Sequence, residues 1–367
     1  MIEKIAILGA GNGGKASAAD LALQGKKVRL FEFPEYRSGV EGLMRSRRLT
    51  ATGAINGEAN LERVTCDLAE AVNGADTVMV CTQALAHERV ARELAPLVRP
   101  KQLVILNPGS TGGALLFAHV FRQAGIKKMP ALVETSTLTY GCRAKGETVD
   151  IKLKVSRVLY GVLPADATET VGPMIEALYP GMVRGASVLE AGLNNANPVI
   201  HPPIAILNAA RIEKEGPKML FYRDGVSPTA ARIIQQLDNE RMALLRSLGY
   251  PAQPDPVTSV QQGYAESTDY LECYSQGSGY CGFPSPDTLD HRYFHEDIGI
   301  GLVMFCSLRK MLAVPMPACE AVVRMGSIIS GIDYFAQGTR TMKALGLDGL
   351  SLEELKSYLQ TGTLLRA

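Results

Sequence analysis

The chain has 367 residues, which at roughly 150 residues per domain predicts two domains. A hydrophobic fraction of 46% and a charged fraction of 20% are typical of globular proteins and exclude a disordered or collagen-like chain. The 38 basic and 37 acidic residues give a net charge of +1 without long runs of one sign, so we expect neither nucleic acid nor a membrane as a partner.

The seven cysteines predict buried, reduced thiols. Their number is odd, and no two of them have the short spacing that encloses zinc, so we expect no metal site. The N-terminus enters an apolar segment directly, without the basic start and small-residue cleavage site of a signal peptide. No apolar stretch approaches the ~20 residues of a membrane span. Together these features predict a cytoplasmic protein.

Short apolar segments alternate with helical patterns in the first half of the chain. This alternation is typical of a parallel sheet with crossover helices. The predicted strands are Ile5–Leu8, Val28–Phe31, Thr77–Val80 and Leu103–Leu106, and the helices include Lys15–Gln24 and Leu85–Val98. Three more strands, expected to extend the same sheet, are predicted at Ala131–Val133, Val149–Ile151 and Val158–Val162.

Strand patterns almost vanish after about Gly185. Apolar residues then recur at spacings of three and four, which predicts a mostly helical second domain. The predicted helices are Leu189–Asn197, Ile204–Glu215, Pro228–Leu248 and Ile298–Leu312. We therefore predict an α/β domain over residues 1–185 and an all-α domain over residues 186–367.

A glycine-rich turn, GAGNGG, follows the first predicted strand and begins the first predicted helix. Gly9, Gly11 and Gly14 give the spacing GxGxxG, in which a tight turn lets backbone N–H groups approach a pyrophosphate. Glu32 ends the second predicted strand, where a carboxylate accepts hydrogen bonds from ribose hydroxyls and favours NAD. Arg37 could contact a 2′-phosphate, so NADP stays open.

The remaining predicted cofactor contacts lie in this loop and after the next two predicted strands. Residues after those strands lie at the carboxyl edge of the sheet, where a dinucleotide binds, although turn chemistry alone could also explain them. The full predicted cofactor set is Gly9, Gly11, Asn12, Gly13, Gly14, Glu32, Cys81, Thr82, Asn107 and Pro108.

His201 is the strongest candidate acid or base among the five histidines. It lies in a polar, proline-rich segment, Asn194–Pro203, just before the predicted helix Ile204–Glu215. Prolines on both sides would hold an imidazole in one geometry for proton transfer. Spacing alone leaves a structural role equally open.

A second polar cluster, His291–Asp297, precedes the predicted helix at Ile298. One interpretation is a helix cap formed by Asp297. The other is a site in which Asp297 orients the His201 ring and Arg292 binds a substrate carboxylate. The residues alone favour neither.

Four segments in this order resemble the octopine/nopaline (opine) dehydrogenase family, bacterial N-(1-carboxyethyl)-amino-acid dehydrogenases in particular. The resemblance covers nearly the whole chain, and its later motifs are more specific than the generic glycine loop. The segments are GAGNGG, Glu134–Arg143, Asn197–Pro203 with Leu207 and Asn208, and Arg292–Asp297 before Gly301–Val303.

The resemblance implies a Rossmann-type dinucleotide-binding domain followed by a helical domain. It implies NAD(P)H-dependent condensation of a 2-oxo acid, usually pyruvate, with the amino group of an amino acid to give a secondary-amine dicarboxylate. It assigns the catalytic pair to His201 and Asp297, and substrate-carboxylate binding to Arg292. It also directs Thr135 or Thr137 toward the nicotinamide. The predicted substrate ligands are Arg292, Thr135, Thr137, Gln83 and Asn197.

Two other functions stay open at this stage. A ketopantoate-reductase-like or 2-hydroxy-acid oxidoreductase shares the same domain plan but typically relies on a lysine, and no lysine has a better setting than His201. A nucleotide-binding sensor without catalysis would keep only the glycine loop. The helical domain could bury either an internal core or a homodimer face.

Overall fold

Twelve strands lie in the part of the chain that the computed structural model describes, residues 2–364. They are β1 Lys4–Leu8, β2 Lys27–Phe31, β3 Arg48–Gly53, β4 Gly57–Asn60, β5 Arg63–Thr65, β6 Thr77–Val80, β7 Leu103–Leu106, β8 Ala131–Thr135, β9 Tyr140–Lys145, β10 Thr148–Lys154, β11 Val158–Leu163 and β12 Met182–Arg184. All twelve belong to the first of two structural units, which runs to Gly192 and includes Tyr358–Thr363.

Eight strands form one sheet in the order β12-β11-β8-β7-β6-β1-β2-β5. Every pair of neighbours is parallel except β8 and β11. Strands β6 and β7 are buried along their whole length, as expected when helices cover both faces of a parallel sheet. The strand order reverses between β1 and β6, which is where ligands bind in open sheets of this kind.

The four strands predicted in the first half of the chain are confirmed as β1, β2, β6 and β7. The expectation that Val149–Ile151 extends the same sheet is wrong. Strand β10, which contains those residues, lies in a separate four-stranded sheet of order β4-β3-β10-β9. It pairs antiparallel with β9 and parallel with β3, partners that its own sequence does not reveal.

The helices of the first part of the chain are α1 Asn12–Leu23, α2 Glu41–Ser46, α3 Leu68–Val72, α4 His87–Leu94, α5 Gly113–Gln123, α6 Thr168–Leu178 and α7 Val188–Leu193. Short 3₁₀ turns lie at Pro34–Gly39, Ala84–Ala86 and Ala165–Ala167. The predicted helices Lys15–Gln24 and Leu85–Val98 correspond to α1 and α4, which begin or end several residues away from the predicted bounds.

The second unit, Leu193–Ser357, is helical. Its helices are α8 Asn197–Leu207, α9 Ala209–Glu215, α10 Phe221–Gly225, α11 Pro228–Leu248, α12 Asp255–Gln262, α13 Tyr270–Gln276, α14 Arg292–His295, α15 Val303–Leu312, α16 Pro317–Ser330 and α17 Tyr334–Gln337, with a 3₁₀ turn at Gly216–Lys218 and a π-helical turn at Asp297–Leu302. A last helix, α18, spans Leu352–Thr361. None of the helices among residues 2–364 is long and apolar enough to cross a membrane.

Helix α11 has the bounds that the sequence predicts, because local signals mark both of its ends. Ser227 caps the first turn by accepting a hydrogen bond from the N–H of Ala230 at 3.2 Å, and Pro228 follows it. The helix ends at Gly249, which is left-handed. By contrast, α8 begins at Asn197, seven residues before the helix predicted at Ile204, so the prediction that His201 precedes the helix is wrong.

A buried polar network in the second unit joins α11, α12 and α13. The Asp238 carboxylate lies 2.6 Å from Arg241 Nε and accepts hydrogen bonds from the Asp255 N–H and the Tyr270 hydroxyl. Asp255 in turn accepts a hydrogen bond from the Tyr274 hydroxyl at 2.8 Å. Burial, reinforced by the negative charge of Asp238, raises the pKa of Asp255 to about 6. The folded protein therefore binds a proton here more tightly than the unfolded chain does.

We expect this proton to make stability depend on pH. Because the folded-state pKa of Asp255 lies above the ordinary value of 3.8, its contribution to the free energy of unfolding falls as pH rises from about 4 to 6. Asp255→Asn removes that slope, so the variant gains stability relative to the parent over the same interval. Urea unfolding followed by circular dichroism measures the difference, with the exposed Asp348→Asn as control. A difference that is independent of pH would contradict the assignment.

Candidate active site

The glycine loop between β1 and α1 is shaped by close backbone contacts. A Cβ on Gly14 would lie 1.7 Å from the carbonyl oxygen of Gly9, so no larger residue fits where the helix meets the strand. Gly9 itself has a φ of +99°. A Cβ on Gly11, by contrast, would meet no atom within 4 Å. The loop is thus packed tightly on the protein side and open at the residue where a pyrophosphate would approach.

Helix α1 begins at Asn12 without a side-chain cap on its first turn. The Asn12 side chain is used elsewhere, since its Oδ1 accepts a hydrogen bond from the Ala144 N–H at 2.8 Å. An N-terminus with unshared N–H groups favours an anion. Gly13 has a different contact, because its added Cβ would meet Leu138 at 2.8 Å. Its small size therefore serves packing against Leu138.

Glu32 follows β2 and its carboxylate is held by the backbone. Oε2 accepts a hydrogen bond from the Ala10 N–H, and Oε1 accepts one from the Phe33 N–H, both at 2.9 Å. Each oxygen has a further lone pair that could accept a ribose hydroxyl. Arg37 is exposed, with its Nε 3.8 Å from Glu41 Oε1, an ion pair that contributes little stability.

These observations fit a bound dinucleotide. The open position at Gly11, the uncapped helix N-terminus and the fixed Glu32 carboxylate are the three features that pyrophosphate and ribose recognition require.

The residues predicted at the ends of β6 and β7 differ in their surroundings. Cys81 lies 3.7 Å from the Ser17 hydroxyl, and burial raises the pKa of its thiol to about 12, so it stays protonated. Thr82 packs on the glycine loop, since its methyl would lie 2.9 Å from a Cβ on Gly9. Its Oγ1 is buried and has no hydrogen-bond partner within the described residues.

Asn107 holds the following chain segment in place. It is fully buried, its Nδ2 donates to the Thr139 hydroxyl at 2.9 Å, and its Oδ1 accepts from the Thr139 N–H. Pro108, next in sequence, is half-buried. Thr135 is also buried, and its hydroxyl lies 2.9 Å from the carbonyl oxygen of Thr137. These polar groups therefore order the loops that follow β7 and β8.

The other two predicted substrate ligands of the first unit are more accessible than Thr135. Thr137 is half-buried and Gln83 is exposed, immediately after β6. The assignment of all three residues to substrate binding stays a prediction.

His201 lies inside α8, a helix that contains three prolines. Pro198 is in its first turn, where a missing N–H costs little. Pro202 and Pro203 cannot donate to the carbonyl groups one turn earlier. The segment Pro198–Ala205 is nevertheless buried, and this tertiary burial keeps it helical against the local preference of its prolines.

The central contact of the second unit joins His201 to Asp297, 96 positions apart. His201 Nδ1 lies 2.7 Å from Asp297 Oδ2, and the two side chains are only 4% and 1% exposed. The structure thus brings together the two residues that we predicted as a pair. Asp297 Oδ1 is buried as well and has no hydrogen-bond partner within the described residues.

Asp297 begins the π-helical turn Asp297–Leu302, and that turn packs closely on α8. The N–H of Gly301 donates to the Glu296 carbonyl at 3.0 Å, a bond spanning five residues. A Cβ on Gly301 would lie 2.2 Å from Cγ of Pro198, so only glycine allows this approach. Turns of this kind are frequent at functional sites.

Aromatic rings surround the His201 side chain. The Tyr222 hydroxyl lies 2.7 Å from His201 Nε2. The Tyr293 ring lies over the imidazole with a centroid distance of 4.3 Å, and the Phe221 ring packs edge-on with a centroid distance of 5.9 Å. Sequence reasoning missed Tyr222. The available signal was the aromatic pair Phe221–Tyr222, and nothing in its spacing points to His201.

Arg292 begins α14, and 35% of its side chain is exposed. Its Nη1 lies 3.2 Å from Oε1 of the buried Glu296. Burial alone would lower the pKa of Arg292, but the carboxylates of Glu296 and Asp297 raise it above its ordinary value, so the guanidinium stays charged. A charged, partly exposed guanidinium near the pair suits a carboxylate ligand.

His291 is close to the pair but differs in character. Burial, followed by the positive charge of Arg292, lowers the pKa of His291 to about 4, so its ring is neutral at pH 7. Its ring contacts Tyr293 edge-on at 4.4 Å.

Asn197, the remaining predicted substrate ligand, is half-buried at the first position of α8. Residues 2–364 contain no group of three His, Cys, Asp or Glu side chains that could hold a metal ion.

Known proteins resemble this chain over its whole length. The model for the α-helical domain of NAD/NADP octopine/nopaline dehydrogenases matches residues 184–330, and that for the N-terminus of NAD-dependent glycerol-3-phosphate dehydrogenases matches residues 4–122. An opine dehydrogenase of Arthrobacter sp. (strain 1C) is 32% identical over 98% of this chain and 100% of its own length. The chain belongs to the octopine/nopaline dehydrogenase family.

Two solved structures share the fold. Octopine dehydrogenase with NADH and L-arginine superposes with a TM-score of 0.78 at 19% identity, covering 100% of this chain and 99% of that one. Yersinopine dehydrogenase with NADP⁺ gives 0.74 at 15% identity over 98% of both chains. The chain is therefore an NAD(P)-dependent oxidoreductase, with the predicted dinucleotide-binding and helical folds. Relatives along the whole length favour the chemistry of this family over a simple 2-hydroxy-acid reduction or a sensor.

We expect Gly301→Ala to disturb the His201–Asp297 contact from a distance. Its Cβ overlaps the rigid ring of Pro198, so α8 and the π-helical turn must separate. We expect a loss of about 1–3 kcal/mol in the free energy of unfolding. We also expect a fall in turnover of up to about 100-fold, since a 1 Å misplacement can have that effect. Chemical unfolding and steady-state kinetics measure both.

Gly39→Ala is the matched control, because a Cβ there meets no atom within 4 Å. If the Gly301 variant kept full stability and turnover, the close approach would not be needed for the site.

Proposed function

We propose that this enzyme condenses pyruvate or a similar 2-oxo acid with the amino group of an amino acid and reduces the product to a secondary-amine dicarboxylate. The reverse oxidation belongs to the same proposal. The observation that carries it is the buried His201–Asp297 contact of 2.7 Å, which lies within the segments that resemble this family. The name of the Arthrobacter relative, an opine dehydrogenase, supports the same reaction.

The first unit holds the cofactor in this proposal. The N-terminus of α1 and Gly11 would face the pyrophosphate, and Glu32 would accept the ribose hydroxyls. The reduced nicotinamide, when bound, supplies the hydride equivalent. Cys81, Thr82, Asn107 and Pro108 would support the cofactor from the ends of β6 and β7.

His201 carries the proton chemistry. Condensation of an amine with a ketone expels water, and the departing oxygen needs a proton. The resulting imine accepts hydride more readily when it is protonated. Asp297 fixes the imidazole orientation through Nδ1, which leaves Nε2 for proton transfer. Burial strengthens this interaction, since little water screens the two side chains.

Arg292 binds a substrate carboxylate. Both the 2-oxo acid and the amino acid carry one, and guanidinium groups bind carboxylates through paired N–H donors. The guanidinium lies within the same short segment as Asp297, so a bound carboxylate would be held near the acid–base pair. Asn197, at the start of α8, and Thr135, Thr137 and Gln83 of the first unit complete the proposed set of substrate ligands.

We also propose a cytoplasmic location and a homodimer. The free thiols of all seven cysteines support a reducing compartment.

Exposed Met325 and Ile328 on α16 support a contact between two copies, because they lie three residues apart on one helical face.

The assay that tests the function follows NADH and NADPH absorbance with pyruvate alone and with pyruvate plus basic, apolar, acidic or small amino acids. We expect oxidation only when an amine is present, and the active group identifies the amino acid. Oxidation with a 2-oxo acid alone would instead indicate a 2-hydroxy-acid dehydrogenase. Cofactor binding without turnover in any mixture would favour a sensor.

His201→Ala tests the acid–base assignment in the same assay. We expect turnover to fall about 100- to 10,000-fold, the usual contribution of a general acid or base, with NADH affinity unchanged. The matched control is His295→Ala, because the half-buried His295 also lies 2.7 Å from an aspartate, the exposed Asp290. Near-normal turnover in the His201 variant would disprove the assignment.

Glu32→Gln tests the cofactor preference. The amide keeps an oxygen for one backbone N–H but removes the charge that repels a 2′-phosphate. We expect the ratio of kcat/KM for NADH to that for NADPH to fall at least about tenfold, equivalent to about 1.4 kcal/mol. Glu35→Gln, a nearby exposed carboxylate bound to Arg89, should leave the ratio unchanged. An unchanged ratio in the Glu32 variant would exclude this carboxylate as the selective group.

A further inference from the structure

Both ring nitrogens of His201 are occupied by protein groups. Asp297 Oδ2 lies 2.7 Å from Nδ1, and the Tyr222 hydroxyl lies 2.7 Å from Nε2. Tyr293 covers one face of the ring. In this geometry no nitrogen of the imidazole is open to a substrate, although the proposed reaction needs a proton to move between the imidazole and the substrate.

The hydrogen-bond directions follow from the donors and acceptors present. A carboxylate only accepts, so Nδ1 carries a hydrogen toward Asp297. In the neutral ring Nε2 then accepts, and the Tyr222 O–H donates to it. In the imidazolium Nε2–H donates instead, and the Tyr222 oxygen accepts. The Tyr222 hydroxyl hydrogen is then directed away from His201 and becomes available to another acceptor.

We propose that Tyr222 exchanges the proton with the substrate and that His201 exchanges it with Tyr222. This inference rests on the proposed condensation. In the step that expels water, the nitrogen lone pair of the carbinolamine forms the C=N bond and the C–O bond breaks. The departing oxygen takes the proton of the Tyr222 hydroxyl, and Nε2–H of the imidazolium replaces that proton. The step thus converts the carbinolamine and the His201 imidazolium into one iminium ion, one water molecule and a neutral His201.

The surroundings of Tyr222 oppose the alternative, in which its side chain moves aside to expose Nε2. Its ring is wedged among Phe221, Tyr280 and Phe283, with centroids 5.2, 4.8 and 6.2 Å away. The segment is pinned as well, because the Phe221 N–H donates to the Phe283 carbonyl at 2.9 Å. Displacing Tyr222 would disrupt this cluster, whereas rotating its O–H bond moves no heavy atom.

Burial also determines how the two protons move. It raises the pKa of the Tyr222 phenol well above its ordinary value, so a free phenolate would be unstable here. The two transfers should therefore occur together, with one proton leaving the oxygen as the other arrives. Two protons then move in the same transition state.

Tyr222→Phe tests the relay, since it keeps the ring and removes the hydroxyl. We expect kcat to fall about 100- to 10,000-fold with little change in KM or NADH affinity. Tyr334→Phe is the matched control and should keep the parent kcat. Its hydroxyl also contacts a histidine nitrogen in the same unit, Nδ1 of His295 at 2.9 Å, outside the proposed site.

A proton inventory gives a second test that needs no variant. In mixtures of H₂O and D₂O, the single-turnover rate of the parent enzyme should curve with deuterium content. A linear inventory, or no isotope effect, would overturn the relay. So would a Tyr222→Phe kcat within threefold of the parent. Either result would leave the proposed function intact if the parent still oxidises NADH in an amine-dependent way. A parent without that activity would overturn both.

Discussion

The buried carboxylate of Asp297 is the constraint on which the second unit depends. Removing a carboxylate from water costs several kcal/mol unless a partner restores the lost interactions. Asp297 is 1% exposed and contacts His201 directly, with the guanidinium of Arg292 nearby. Its second oxygen has no hydrogen-bond partner within the described residues. Most buried polar groups are fully hydrogen-bonded, so this oxygen is an exception of the kind that calls for an explanation, and the proposed function supplies one.

Several local features of the sequence make this contact possible. In the π-helical turn at Asp297–Leu302, the side chains have a different angular spacing from that of a regular α-helix. Gly301 lets the ring of Pro198 pack directly on that turn. The prolines of α8 are tolerated because the helix is buried along most of its length. Each feature is unfavourable or unusual by local rules, and the packing of α8 on the turn compensates for them together.

Much of the architecture was predictable because its signals are local. The strands β1, β2, β6 and β7 are short, mostly apolar segments, and α11 carries its own cap, proline and terminal glycine. The sheet that contains β10 was misassigned because strand pairing depends on distant partners. The predicted start of α8 is seven residues too late because its prolines disfavour a helix locally. The burial that keeps this segment helical is not visible in the sequence.

The candidate site, like the fold, could be predicted from the sequence only in part. Complementary chemistry made His201 and Asp297 possible partners, the family resemblance assigned them as a pair, and the structure does bring them into contact. Tyr222 could not be predicted in this way, since a tyrosine has no spacing or composition signal that ties it to a histidine. Its role depends on one hydroxyl at 2.7 Å, a fact of packing alone. The contact is observed, but the catalytic roles of His201 and Asp297 stay predictions, as do the roles assigned to Arg292, Asn197 and the first-unit residues.

The chain carries a second Asp–His–Tyr arrangement that shows what burial adds. His295 contacts Asp290 at 2.7 Å and the Tyr334 hydroxyl at 2.9 Å, distances like those around His201. There, however, the histidine side chain is 22% exposed and the aspartate 87%, against 4% and 1% for His201 and Asp297. Water screens the surface pair and competes for its hydrogen bonds, so its charges interact weakly. The same three residue types therefore form a water-screened contact in one place and a buried contact in the other, and only the buried set has the low exposure that the proposed proton transfer requires.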